Sequence, residues 1–178
     1  MMRPGARIAL AASLALALAS SGCGAGQRFA DQSLASDGWQ ADAVLALLGI
    51  DPGDVVVEFG ADAGCSTYRF AEAVGETGRV LTIDSERGSF SNLDGVVDLV
   101  FVCDAYHRIS DPHAFFDRAL AAMVPNGRVA IVEQTRGGTP ADAIAREMHE
   151  AGYERIAKHE ILTRQSFQIF RADDGTGE

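Results

Sequence analysis

Two short stretches hold residues whose types and spacing suit ligand binding and proton transfer. Glu58-Phe59-Gly60-Ala61-Asp62-Ala63-Gly64 directly follows the run Val55-Val56-Val57. Glycines after a buried strand permit a tight turn and a close approach of backbone to ligand. Asp84 ends the next apolar run, about twenty residues on, where a carboxylate can accept hydrogen bonds from ribose hydroxyls. Asp104-Ala105-Tyr106-His107 ends a third apolar run. A histidine placed there suits a general base, since imidazole titrates near pH 6.5 unperturbed; an exposed loop histidine is the other reading. Glu58 is likewise open to two roles, contacting a ligand or accepting hydrogen bonds that hold the loop. The glycine pattern is not the dinucleotide fingerprint G-x-G-x-x-G, because Asp62 and Cys65 stand at its second and third glycine positions. A nicotinamide-dependent oxidoreductase is disfavoured accordingly.

The elements that must position these residues can be read from periodicity. Residues 39–48 have helical spacing and stop at Gly49, a C-cap glycine. Residues 55–59, 79–84 and 97–103 are nearly continuous apolar runs, the mark of strands buried on both faces, and residues 67–74 between the first two read as a helix. Asp111-Pro112 opens a helix to about Met123, and Pro125-Asn126-Gly127 turns into a strand at 128–133. Thr139 as N-cap and Pro140 at the first helical position start a helix ending near Gly152. Residues 154–162 and 165–171 are too close for a crossover helix and are expected to pair as an antiparallel hairpin. Alternating strands and helices ending in a hairpin predict a three-layer α/β sandwich. Tyr106 and His107, after a strand next to the first, are both expected to face the crevice at the strand ends.

Composition sets the outer bounds. A chain of 178 residues favours one domain, and 47% apolar with 22% charged residues is the balance of a globular protein. A formal charge of −10 leaves no basic surface for phosphates along a duplex, so nucleic acid is not an expected partner. Three cysteines without a C-x-x-C pair argue against a disulfide scaffold or a structural zinc site, and no metal is expected. Cys65 and Cys103 fall at the carboxyl ends of neighbouring strands, where either a disulfide or two separate thiols would fit.

The start of the chain has a different character. Arg3 and Arg7 precede an apolar run of roughly a dozen residues, too short to span a bilayer, which Ser20-Ser21-Gly22-Cys23 closes. This is a secretory signal pattern, and its end resembles the lipobox of bacterial lipoproteins, with Ser20 where that motif usually has leucine. The resemblance implies cleavage before Cys23 and a lipid on its thiol; simple cleavage at small residues is the alternative. The expected organisation is a signal peptide at 1–22, a flexible tether at 23–38, a folded domain at 39–172 and a disordered tail at 173–178. An exported, membrane-anchored lipoprotein facing the periplasm or cell surface is the expected location.

The folded part resembles class I S-adenosylmethionine-dependent methyltransferases. Their first motif, an acidic residue followed by G-x-G-x-G, reads here Glu58, Gly60, Asp62, Gly64. Asp84 matches the acid after the second strand, Val97-Asp98-Leu99-Val100-Phe101-Val102 the fourth-strand motif, and Val124-Pro125-Asn126-Gly127-Arg128 the turn before the fifth. Gly38-Trp39-Gln40, Asp104-Ala105-Tyr106-His107 and the final hairpin with Phe167 and Phe170 resemble an exported bacterial subgroup of that family. The resemblance implies a Rossmann-like fold, S-adenosylmethionine as cofactor held by Glu58, Gly60, Asp62, Gly64, Asp84 and Asp104, and catalytic roles for His107 and Tyr106. It implies methyl transfer to a small molecule. Two departures point the other way, to an inactive methyltransferase-fold protein that acts by binding. Asp62 replaces the central glycine, and only residues 85–96 separate the second strand from the family's fourth, so the third, edge strand is expected to be missing. Loss of that segment should uncover apolar faces of the second strand and the first helix, leaving an exposed patch and with it a reason to form homodimers.

Overall fold

The computed structural model describes residues 41–60, 65–83, 90 and 93–173. The expected signal peptide, the tether with Cys23, and the end of the tail at residues 174–178 lie outside the described residues. The elements are α1 (Ala41–Leu48), β1 (Val55–Phe59), α2 (Cys65–Val74), β2 (Arg79–Ile83), β3 (Val97–Cys103), α3 (Pro112–Ala122), β4 (Met123–Gln134), α4 (Ala141–Glu150), β5 (Tyr153–His159) and β6 (Gln165–Ala172), with a 3-10 turn at Tyr106–Arg108. The strands form one sheet in the order β2-β1-β3-β4-β6-β5. The first four run parallel, and β6 pairs antiparallel with both β4 and β5. This is the expected α/β architecture with its closing hairpin.

Alternation along the strands explains the three layers. Val55, Val57 and Phe59 of β1, with Val100 and Val102 of β3, meet Phe115, Phe116, Ile144 and Met148 from α3 and α4 on one face. Val56 and the β3 residues Leu99 and Phe101 turn to the other face, against Val44 and Leu48 of α1 and Phe70 and Val74 of α2. Each central strand is thus apolar on both sides, as its continuous run required. Asp98 fixes the start of the sheet, its Oδ2 accepting from the Val55 N–H at 2.8 Å.

Three local expectations are revised. Pro140 is the N-cap of α4 and not its first helical residue: its ψ of 140° is extended, while its carbonyl already accepts from the Ala143 and Ile144 N–H groups. A fixed proline φ suits either position, so ψ decided. The strand at 128–133 begins earlier, at Met123, and the Pro125-Asn126-Gly127 turn is a bulge within β4, where pairing passes from Val97↔Met123 to Leu99↔Arg128. The expected apolar patch beside β2 is covered in part, with Val80 and Leu81 half-buried and Tyr68 of α2 left 60% exposed. Phe90 and Leu93, from the short link that follows β2, fold back into the core with Leu81 and Ile83, while β2 turns Arg79 and Thr82 to solvent. Among the described residues no strand lies between β2 and β3.

Candidate functional site

The carboxyl ends of β1, β3 and β4 bring the candidate residues together. Glu58 is fully buried at the end of β1. Thr67 of α2 donates its hydroxyl hydrogen to Oε2, whereas the buried Oε1 has no hydrogen-bond partner. Gly60 follows with φ +89°, a conformation glycine adopts freely. A Cβ there would stand 2.3 Å from the Ala105 Cβ and 3.0 Å from the Cys103 carbonyl, so the turn after β1 packs directly on the loop after β3. Asp62, Gly64 and Asp84, expected in the same site, lie outside the described residues.

The loop after β3 opens on Asp104, which holds a left-handed φ of 47° without being glycine. Non-glycine residues rarely adopt this region, though aspartate is among those that do, and such strain clusters at functional sites. Its N–H donates to the Val132 carbonyl at 2.8 Å, extending the pairing to β4. Gln165 Nε2 donates to its Oδ2 at 2.8 Å and Gln134 also bonds the carboxyl, but Oδ1 is buried without a partner. Burial pushes the Asp104 carboxyl above its ordinary range and the Glu133 charge adds to this, against the opposing bonds from Gln134 and Gln165 and the His107 ring.

The sign of that shift gives a prediction. A carboxyl whose folded pKa is raised is favoured in its protonated form, so ionisation costs stability as pH rises above the unfolded value of 3.8. Asp104→Asn, which keeps an acceptor for Gln165 and tolerates the left-handed backbone, is expected to raise Tm at pH 7. The gain should shrink as the pH falls into the carboxylate range. Thermal unfolding of both proteins across that range checks it.

Tyr106 and His107 part company. Tyr106, expected to face the crevice as a catalytic residue, is instead buried in the core, stacked on Phe116 with ring centroids 5.9 Å apart. Its hydroxyl donates to Glu147 Oε2 at 2.7 Å, and burial, with the Glu147 carboxylate beside it, pushes its pKa well up. The 3-10 turn causes the divergence, because neighbours on so tight a helix point to different sides. His107 remains at the surface, its side chain 40% exposed, with Nδ1 2.7 Å from Oε1 of the fully buried Glu133. Glu133 Oε2 accepts from the Tyr106 N–H at 2.9 Å.

Glu133 was missed in the sequence. A signal was present: an acid ends the apolar run Val129-Ala130-Ile131-Val132 of β4 as Glu58 ends that of β1. Gly138 lets the following turn close over it, since a Cβ there would stand 2.2 Å from Glu133 Oε1. Cys103 is a free thiol, and the side chain of Cys65 lies outside the described residues. Burial drives the Cys103 pKa up, and the charges of Asp104, Glu58 and Glu133 add to the effect. Among the described residues no group of histidine, cysteine and acid side chains is arranged to hold a metal, and no helix is long and apolar enough to cross a membrane.

No family model matches the chain, and no curated protein matches it in sequence. Its fold is similar to many solved structures. One is an S-adenosylmethionine-dependent methyltransferase from Aquifex aeolicus, with a TM-score of 0.69 at 18% identity over 85% of this chain and 98% of that one. Another is the Burkholderia thailandensis 1,6-didemethyltoxoflavin-N1-methyltransferase, solved with 1,6-didemethyltoxoflavin and S-adenosylhomocysteine, with a TM-score of 0.60 at 17% identity over 84% and 85% of the two chains. A Haloferax volcanii methyltransferase in complex with the Trm112 activator gives a TM-score of 0.62 at 15% identity, over 85% of this chain and 97% of that one. The likeness shows that this chain has the Rossmann-like fold of class I methyltransferases.

Proposed function

We propose that the protein transfers a methyl group from S-adenosylmethionine to a small-molecule acceptor. The observation that carries this is the lone buried oxygen of Glu58, beside the Gly60 turn at the carboxyl edge of β1. A fully buried carboxylate oxygen without a donor is costly and is completed by a ligand that brings one. The cofactor's ammonium group is such a donor, so the residues fit it, and structural neighbours carry S-adenosylhomocysteine in complex. When bound, the cofactor supplies a methyl carbon made electrophilic by its sulfonium. This chain would contribute Glu58 to hold the ammonium end, Gly60 to allow close backbone approach, and Asp62, Gly64 and Asp84 along the loop and ribose. The ordered loop after β3 would then orient the acceptor, and orientation alone supplies much of the rate in such transfers.

Calorimetric titration with S-adenosylhomocysteine tests this reading. Binding in the micromolar range is expected, weakened roughly 10-fold or more by Glu58→Gln, as loss of a charged hydrogen bond implies. A folded protein that shows no heat with millimolar ligand would overturn it and leave an inactive binding protein. Export and a lipid on Cys23 belong to the same proposal, supported by the apolar segment that ends Ser20-Ser21-Gly22-Cys23. The wild type is expected in the membrane fraction and Cys23→Ser in the soluble one; equal partitioning would count against the anchor.

A further inference from the structure

We propose that the loop after β3 and the end of β4 form the acceptor half of the site, where Asp104 holds an amine and the His107–Glu133 pair removes its proton. The inference rests on the methyl-transfer reading and deepens it by naming the acceptor's chemical class.

The proton-removing part follows from two contacts. Ionised Glu133 can only accept hydrogen bonds, so His107 Nδ1, 2.7 Å from its Oε1, carries the hydrogen. In the neutral ring the lone pair is then on Nε2, at the opposite edge of the imidazole, and with Nδ1 tied to a fully buried partner that edge is the one left to the 40% exposure of the side chain. Oε2 of Glu133 is occupied by the Tyr106 N–H at 2.9 Å, so the carboxylate cannot rotate without breaking one of its bonds. Glu133 is fully buried with both oxygens engaged by the protein. It is a positioning residue, and His107 is the base.

The holding part follows from Asp104. Its backbone is strained, one carboxyl oxygen is committed to Gln165, and the other is buried and unpartnered. A donor on the acceptor molecule would complete Oδ1. Although its sequence context assigned Asp104 to the cofactor, its hydrogen bonds run to Gln134 and Gln165 at the ends of β4 and β6, away from β1.

Charge selects the class of acceptor. Glu58 near the end of β1, Asp104 directly after β3 and Glu133 near the end of β4 stand on neighbouring parallel strands, so a carboxylate or phosphate acceptor would enter among like charges. The guanidinium of Arg108 is turned toward β1, its Nη2 3.2 Å from where a Cβ on Gly60 would stand. An amine arrives as an ammonium and brings both the donors and the charge. In the step itself one N–H bond of the ammonium breaks, the proton passes to Nε2, and the electron pair stays on nitrogen as the nucleophilic lone pair. The imidazolium formed is balanced by Glu133, so the net charge of the site and its ligand is unchanged.

The test is nitrogen NMR of the whole protein with labelled histidine, recorded over a pH series and read on the neutral form of the His107 ring. His107 is expected to show one tautomer, protonated at Nδ1. In Glu133→Gln a single side-chain oxygen must serve two donors, so that tautomer should lose its dominance; an Nε2-protonated ring in the wild type, or no change in a folded Glu133→Gln, overturns the pair. The wild-type measurement needs no variant and stands if Glu133→Gln does not fold. Ethylammonium, acetate and ethanol are then titrated as probes. Ethylammonium is expected to shift the His107 ring and Asp104 amide signals with millimolar affinity, weakened on the order of 10-fold in Asp104→Asn. Shifts from acetate or ethanol instead, or ethylammonium binding unchanged in Asp104→Asn, overturn the amine assignment. The same samples titrated with S-adenosylhomocysteine separate the two readings. Amine binding without cofactor binding overturns methyl transfer but not the amine site; cofactor binding without amine binding does the reverse.

Discussion

A Gly60→Val protein is expected to bind no S-adenosylhomocysteine and to lose about 2–5 kcal/mol of stability, from backbone strain and overpacking together. The φ of +89° is strained for any side chain and most of all for a β-branched one. The added Cβ would stand 2.3 Å from that of Ala105, a separation that forces one loop to move. Because Ala105 sits between Asp104 and Tyr106, that movement would also disturb the loop carrying His107. Calorimetry and thermal unfolding read the two effects separately. A folded Gly60→Val protein with wild-type affinity would show that the turn after β1 is not where the cofactor lies.

Phe116→Ala should be the most damaging of the core changes, costing about 3–5 kcal/mol, the range for removing a large buried ring. Phe116 is fully buried and touches three other rings, Phe115 at 5.0 Å, Tyr106 at 5.9 Å and Tyr153 at 6.0 Å between centroids. For a domain of this size that corresponds to a fall in Tm on the order of 10 °C. The expected consequence reaches the site. Tyr106 loses its stacking partner, and its backbone N–H is one of the two groups that hold Glu133 in place for His107. Denaturant unfolding measures the first effect, and the His107 tautomer signal measures the second in whatever fraction remains folded. A loss below about 1 kcal/mol would mean that the neighbouring rings close the cavity, contrary to the packing seen.

These expectations combine features that the sequence displays with others that it conceals. Asp104 shows the tension between the two. Its place after an apolar run was visible, but its left-handed backbone and lone oxygen arise only where three strands end together. A charge buried there costs stability and is kept where a ligand offsets it, which is why Asp104→Asn should stabilise the protein while weakening the amine site.

The sequence by itself determined the strand and helix order, the burial of β1 and β3 on both faces, the closing hairpin and the glycine turn after β1. These follow from local periodicity and from backbone limits that act within a few residues. The covered side of β2, the inward rotation of Tyr106 and the pairing of His107 with Glu133 were decided by tertiary structure alone. The last two depend on contacts across 26 or more positions of the chain. Whether a side chain at a strand end faces solvent, core or a partner is set by the packing of neighbouring strands and by the tightness of one 3-10 turn, neither of which leaves a periodic trace in the residues themselves.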